Sequence, residues 1–426
     1  MPPSMFSGAK TINNLLQVTH KYGPCSPQKK GTTKIPSLHQ ILLDDQIRVK
    51  YLNNKISNNH ATTIQDSAVK VPANSGQSLG TGNYVVNIGI GTPKQEFTVI
   101  FDTGSDLTWI QCQPCVVQCY SQKDTIFNPS TSSTYSNISC GSNACKQLQS
   151  ATGNSRPCAT ACIYQIVYGD GSYSVGYFAR DKLTLSRSDV FPKFRFGCGE
   201  NNNGLFGTAD GLLGLGRNKV STVSQTATKY GKIFSYCLPS STSSTGYLAF
   251  GKKHTGTTKI QYTPLLIDSR GPSFYFLNMT GISVGRKTLA ISASVFTTSG
   301  TIIDSGTVIT RLAPTAYSAL KSAFSKAMSK YPTAAPYSIL DTCYNLSGYT
   351  RVTLPTIVLH FGGGADLNVD SAGIIVQASS TQYCLAFAAN SADTDLGILG
   401  NMQQQTFEVV YNVAGGKLGF GAGACS

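Results

Sequence analysis

The chain has 426 residues, a formal net charge of +14 and only 13% charged side chains. That length allows two or three domains and a sizeable core. The absence of any run of 18 apolar residues argues against a membrane span, and the scattering of Lys and Arg argues against a basic tail built for polyanions. Gly, Ser, Thr and Asn are abundant and β-branched runs are short, a pattern of an all-β protein rich in turns.

Residues 1–75 differ from the rest, with nine Lys/Arg against three Asp, three of the five histidines and the isolated Cys25. Within them, Ser37 to Leu52 has helical spacing, with Leu38, Ile41, Leu42, Val49 and Leu52 apolar and Asp44 and Asp45 polar. Asn53 to Asn83 is polar and Gly/Ser-rich, as in a linker or cleavage region. The segment reads as a removable pro-region. Its loss would take Cys25 away and leave 12 cysteines able to pair completely.

Many cysteines at irregular spacing point to disulfides and an oxidising compartment. Cys112-x-x-Cys115 has the spacing of zinc ligands, but no His-rich or second Cys-x-x-Cys cluster completes a site, so no metal and no cofactor is expected. Sequons begin at Asn137, Asn278 and Asn345. The N-terminus shows no apolar signal core, and the cysteine count favours a secreted chain whose signal is missing from this sequence.

From Tyr84 the chain becomes strand after strand. Ile100-Phe101-Asp102-Thr103-Gly104-Ser105 ends one apolar run with an acid on a glycine turn, and Ile302-Ile303-Asp304-Ser305-Gly306-Thr307 repeats the pattern. Glycine is expected there for its freedom of backbone angle. Asp-Ser/Thr-Gly alone is an ordinary turn, but two copies behind apolar pairs would bring two carboxyls face to face. Such a pair shares one proton and titrates as a unit. Residues 112–162 hold seven cysteines in polar sequence and read as a stapled insert. Tyr164 to Tyr168 is a strand entering a hairpin at Gly-Asp-Gly-Ser, and Gly211-Leu-Leu-Gly214 is an apolar run ending in glycine. A second cycle follows, in which Phe274 to Gly285 echoes the Tyr84 strand and Leu396 to Gly400 echoes the Leu-Leu-Gly run, so two related lobes are expected. A helix is expected from Pro314 to Lys330, with Tyr317, Leu320, Phe324 and Met328 on one face.

Over roughly residues 80–426 the chain resembles the pepsin-like aspartic proteases, and within them the plant nepenthesin-type group that includes the chloroplast-nucleoid DNA-binding type. The resemblance rests on Phe101-Asp-Thr-Gly-Ser-Asp-Leu-Thr-Trp109-Ile-Gln-Cys112, on Tyr168-Gly-Asp-Gly-Ser, on the cysteine-rich insert, and on His20-Lys-Tyr-Gly-Pro-Cys25-Ser-Pro in the pro-region. It implies a bilobal β fold with few short helices: a pro-region over 1–75, an N-terminal lobe over 76–258 carrying the insert, and a C-terminal lobe over 259–426. It implies that Asp102 and Asp304 are the catalytic pair, supported by Gly104, Ser105, Gly306 and Thr307. Tyr168 and Gly169 would belong to a substrate-covering flap, with Trp109 donating to Tyr168. It also implies bridges Cys112–Cys115, Cys119–Cys198, Cys140–Cys162, Cys145–Cys158, Cys237–Cys425 and Cys343–Cys384. Two departures are the lack of a saposin-like insert and the basic charge.

The function so implied is endopeptidase action on protein or peptide substrates by a monomer, in the secretory pathway, apoplast or vacuole, or in the chloroplast by family likeness. A catalytically silent glycanase-inhibitor-like binding protein is the alternative, disfavoured by two intact acid motifs. Nucleic-acid binding fits the charge but has no module to support it. A glycosidase also uses two carboxylates, but these need not sit on paired glycine turns. Serine or cysteine protease chemistry would have to use His254 or His360 in the mature part, and both read as structural.

Overall fold

The computed structural model describes residues 15–20, 37–58, 83–153, 158–168, 171–204, 206–240, 244–251 and 259–425. Cys25, Gly169 and His254 lie outside them.

Nearly continuous apolar runs, buried on both faces, make Tyr84–Ile90 (β2) and Gln95–Asp102 (β3) an antiparallel pair, with Val85 opposite Ile100. The cis Thr92–Pro93 bond lies in the turn between them. β3 runs parallel to Gly211–Gly214, which places Asp102 opposite Gly214. After the Asp turn, Trp109–Gln111 (β4) lies antiparallel to that same glycine-ended strand, with Trp109 opposite Leu212.

The second lobe repeats this plan. Phe276–Leu277 pairs with Thr301–Ile303, which runs parallel to Gly397–Leu399. Thr310–Leu312 then lies antiparallel to Gly397–Leu399, with Arg311 opposite Ile398. The repeat read in the sequence is thus a repeat of strand topology. The expected echo of β2 is split, because Phe274 to Gly285 forms two strands in different sheets.

A shared ladder joins the lobes. Ile233–Cys237 pairs with Thr245–Phe250 on one side and with Glu408–Asn412 on the other. Leu15–His20 (β1), from the expected pro-region, extends that ladder by pairing with Thr245–Phe250 and with the start of β2. The main core spans both lobes, from Phe97 and Phe101 through Tyr236 and Tyr275 to Phe420.

The helix Leu38–Asn58 (α1) runs six residues past the expected Leu52 and takes over the start of the supposed linker. Its buried residues Leu42, Val49, Leu52 and Ile56 form one helical face. Val49, Leu52 and Ile56 pack on Phe274, Phe276, Ile302, Leu396 and Ile398, and Leu42 packs on Val308 and Ile309. Burying four such side chains contributes roughly 6–12 kcal/mol as an upper bound. Asp44 and Asp45, read as the polar side of the helix, are buried as well. The C-terminal lobe carries the expected helix as Pro314–Ala327, with Tyr317, Leu320, Phe324 and Met328 all buried.

The disulfides correct four of the six implied pairings. The bridges are Cys112–Cys198, Cys115–Cys119, Cys140–Cys158 and Cys145–Cys162, while Cys237–Cys425 and Cys343–Cys384 stand as implied. The reason is register. β4 lies parallel to Asp189–Asn203 with Ile110 opposite Cys198, which brings Cys112 alongside Cys198 at a Cα separation of 5.3 Å. Cys115 is then left to close a short loop with Cys119. In the insert, the helix Asn143–Thr152 (α2) carries Cys145 onto Cys162, just before the hairpin strand Ile163–Val167.

Candidate active site

Each acid sits where its strand ends and the chain turns back beneath it. Gly104 N–H donates to Asp102 Oδ1 at 2.9 Å, and Gly306 N–H donates to Asp304 Oδ1 at 3.0 Å. Neither glycine has a positive φ, which corrects the reason expected for them. A Cβ on Gly104 would stand 2.8 Å from Asp304 Oδ1, and one on Gly306 would stand 2.6 Å from Asp102 Oδ1. Each glycine makes room for the opposite carboxylate.

A reciprocal grip ties the two turns together. Ser305 N–H donates to Thr103 Oγ1 at 2.9 Å, and Thr103 N–H donates to Ser305 Oγ at 3.1 Å. Sequence reasoning named Ser105 and Thr307 but passed over Thr103 and Ser305. The available signal was a hydroxyl residue directly after the Asp in both copies.

The outer hydroxyls behave unequally. Thr307 Oγ1 donates to Asp304 Oδ2 at 2.6 Å. The Ser105 hydroxyl and Asp102 Oδ2, by contrast, are both buried without a hydrogen-bond partner among the described residues.

Above Asp102, Ile163–Val167 and Tyr173–Ser186 form an antiparallel hairpin. Tyr168 lies at its tip, where its N–H donates to Ser172 O. Trp109 Nε1 donates to the Tyr168 hydroxyl at 2.7 Å, and both rings pack edge-on against Phe206.

The cleft is filled by α1, and this could not be read from the pattern of acids. Arg48 Nη2 donates to Asp102 Oδ1 at 2.8 Å and to Asp304 Oδ1 at 3.0 Å, while its Nε donates to Asp304 Oδ2 at 2.9 Å. One guanidinium therefore spans both carboxylates in the forked geometry that suits Arg.

Residues 84–252 match the family model described as xylanase inhibitor N-terminal, and residues 274–422 match that described as xylanase inhibitor C-terminal. An aspartyl protease family protein of Arabidopsis thaliana is 53% identical over 421 residues, spanning 98% of this chain and 89% of its own length. The chain belongs to the aspartyl protease family. Nepenthesin-2 of Nepenthes gracilis is 36% identical over 393 residues, covering 90% of this family member and 85% of its own length. Among solved structures, basic 7S globulin from soybean aligns at 22% identity with a TM-score of 0.63, over 80% of this chain and 93% of that one. That likeness is one of fold, the bilobal pepsin-like β architecture.

The electrostatics of this family member split its two acids. Burial drives the Asp102 carboxyl up, but the Arg48 charge and the Gly104 amide outweigh it and leave the group below its ordinary value. Asp304 is driven up by burial and by the Asp102 charge, and Arg48 only partly offsets this. Opposed shifts are what two like charges in contact produce.

Ser283, His360 and Asp366 form a polar chain outside the cleft, with His360 Nε2 2.7 Å from Ser283 Oγ and His360 Nδ1 2.7 Å from Asp366 Oδ1. It lies across three antiparallel strands, and Ser283 also bonds Thr288. Ser283 lies within the paired strand Met279–Val284, opposite Val358, rather than on the strand-to-helix elbow that presents a nucleophile, so His360 is a cross-strand tie. No group of three or more His, Cys, Asp or Glu residues fit to hold a metal occurs among the described residues. None of their helices is long and apolar enough to cross a membrane.

Proposed function

We propose that the mature protein is an aspartic endopeptidase and that the full chain is its inhibited precursor. The observation that carries this reading is the shared contact of Arg48 Nη2 with Asp102 and Asp304, which fixes the two carboxyls within one hydrogen-bonding radius of a common point. In the aspartic protease family a water molecule between two such acids loses a proton to the ionised one, and the protonated partner polarises the amide carbonyl. No covalent intermediate forms. Asp102 and Asp304 take those roles here, Thr103, Ser305 and Thr307 hold them, and the hairpin with Tyr168 covers the substrate and keeps water out.

Arg48 occupies the place of that water and neutralises the pair. Residues 1–75 serve as the removable pro-region, 76–258 as one lobe and 259–426 as the other. The bridges fit an oxidising compartment, and exposed Asn137 and Asn345 offer sites for N-glycans. Substrates are proteins or peptides.

The test is hydrolysis of a denatured protein by the processed chain. Asp102→Asn and Asp304→Asn should each lose roughly 10²–10⁴-fold in rate while circular dichroism is unchanged. Undiminished cleavage by the double variant would overturn the assignment. The matching family models carry xylanase-inhibitor descriptions, which favours glycanase binding as a second reading. Inhibition of a xylanase by a processed chain that cleaves no protein would select it.

A further inference from the structure

Asp45 and Arg311 form an ion pair at 2.9 Å in which both side chains are wholly shielded from solvent. The same carboxylate accepts Val308 N–H on Oδ1 at 2.5 Å and Ile309 N–H on Oδ2 at 3.2 Å. Arg311 Nη2 also donates to Oδ2. Three donors therefore converge on one carboxylate. All three belong to residues 308–311, directly beyond the Asp304 turn, whereas the carboxylate belongs to α1. Arg311 Nη1 is tethered to Ile309 O at 3.4 Å, and its Nε is buried without a hydrogen-bond partner. Among the described residues, Asp45 is the only acid in ion-pair contact with Arg311.

The internal repeat gives this receptor its place. Arg311 lies seven residues beyond Asp304, as Trp109 lies seven beyond Asp102. Each lies antiparallel to the strand that runs parallel to its lobe's Asp-bearing segment, Trp109 opposite Leu212 and Arg311 opposite Ile398. Trp109 reaches the Tyr168 hairpin from one side of the cleft, and Arg311 reaches Asp45 from the other. Asp45 precedes Arg48 by three positions on α1, about 4.5 Å along the helix axis. That distance is one to two residues of extended chain. Once α1 departs, the Arg311 guanidinium loses its counter-ion and the Val308 and Ile309 N–H groups lose their acceptor, and an incoming carboxylate restores both.

We propose that Val308, Ile309 and Arg311 form a carboxylate-binding subsite in the mature enzyme, and that it selects peptides bearing Asp or Glu within about two residues of the cleaved bond. Asp45 is the built-in occupant of that subsite. The inference rests on the peptidase reading above, from which it takes the position of the substrate. Asn or Gln would turn an amide NH₂ group toward N–H donors, so the site discriminates by repulsion as well as by attraction.

The test uses processed enzyme and synthetic peptides in which Glu replaces Gln at one position at a time around a single cleavable bond. The readout is the Glu/Gln ratio of kcat/KM, so a general loss of rate cancels. Wild type should favour Glu by about tenfold or more at one position. Arg311→Met should bring that ratio close to one, and Arg311→Lys should keep part of it. A wild-type ratio near one at every position, or an undiminished ratio in Arg311→Met, overturns the subsite and leaves the peptidase reading intact. If no peptide is cut, the peptidase reading fails. The subsite is then decided by whether the Glu peptides raise the melting temperature of the processed wild type, but not of Arg311→Met, more than the Gln peptides do.

Discussion

Arg48 Nη2 stands 2.8 Å from Asp102 Oδ1 and 3.0 Å from Asp304 Oδ1, two atoms whose residues are 202 positions apart. A single cation thus compensates two buried acids, so removing it exposes their mutual repulsion. Arg48→Met should weaken the hold of α1 by about 2–4 kcal/mol, somewhat below a fully buried pair because Arg48 is partly exposed. The full chain of that variant should hydrolyse peptides at a pH where the wild-type full chain is silent. An equally silent variant would show that the hydrophobic face of α1 is enough to block the cleft.

The same contact sets a pH window. Asp102 is held below its ordinary value of 3.8, so its contribution is fully present above that value and is lost as the pH falls through the lowered one. Asp304 and Asp45 are raised by burial, act in the opposite sense, and have taken up their protons before Asp102 does. Through Asp102, the difference in melting temperature between wild type and Arg48→Met should shrink as the pH falls below about 4. Differential scanning calorimetry across pH reads it directly.

Gly306→Ala places a methyl 2.6 Å from Asp102 Oδ1, closer than a real Cβ contact allows. With no positive φ to strain, the cost is steric, of order 1–3 kcal/mol. Peptide hydrolysis by the processed variant should fall steeply while secondary structure survives. A fully active Gly306→Ala would mean that the turns part easily.

Trp109 is the only tryptophan in the chain, so its fluorescence reports on the hairpin without labelling. Tyr168→Phe removes the acceptor of a buried indole N–H, a loss of roughly 1–3 kcal/mol. The expected outcomes are a shifted emission spectrum and a higher KM for long peptides. An unchanged spectrum would show that the hairpin is held by Phe206 packing alone.

Much of this molecule could be read from its residues in order. The doubled Asp-Thr/Ser-Gly turn, the Tyr168 hairpin, the apolar stripe of Pro314–Ala327 and the cysteine-rich insert each declare themselves within a few positions, because period, turn chemistry and cysteine density are local properties. Family likeness then supplied the Trp109–Tyr168 contact. What the chain order could not decide was pairing at a distance. Cys112 chose Cys198 over Cys115 because β4 lies in parallel register with Asp189–Asn203. Asp44 and Asp45, polar by composition, became buried once α1 docked in the cleft. Arg48 and Arg311 look like two of many scattered basic residues until folding brings each against an acid more than 250 positions away, as with Asp304 and Asp45. Charge has no periodicity to reveal its partner, and only the closed cleft decides which cation meets which acid.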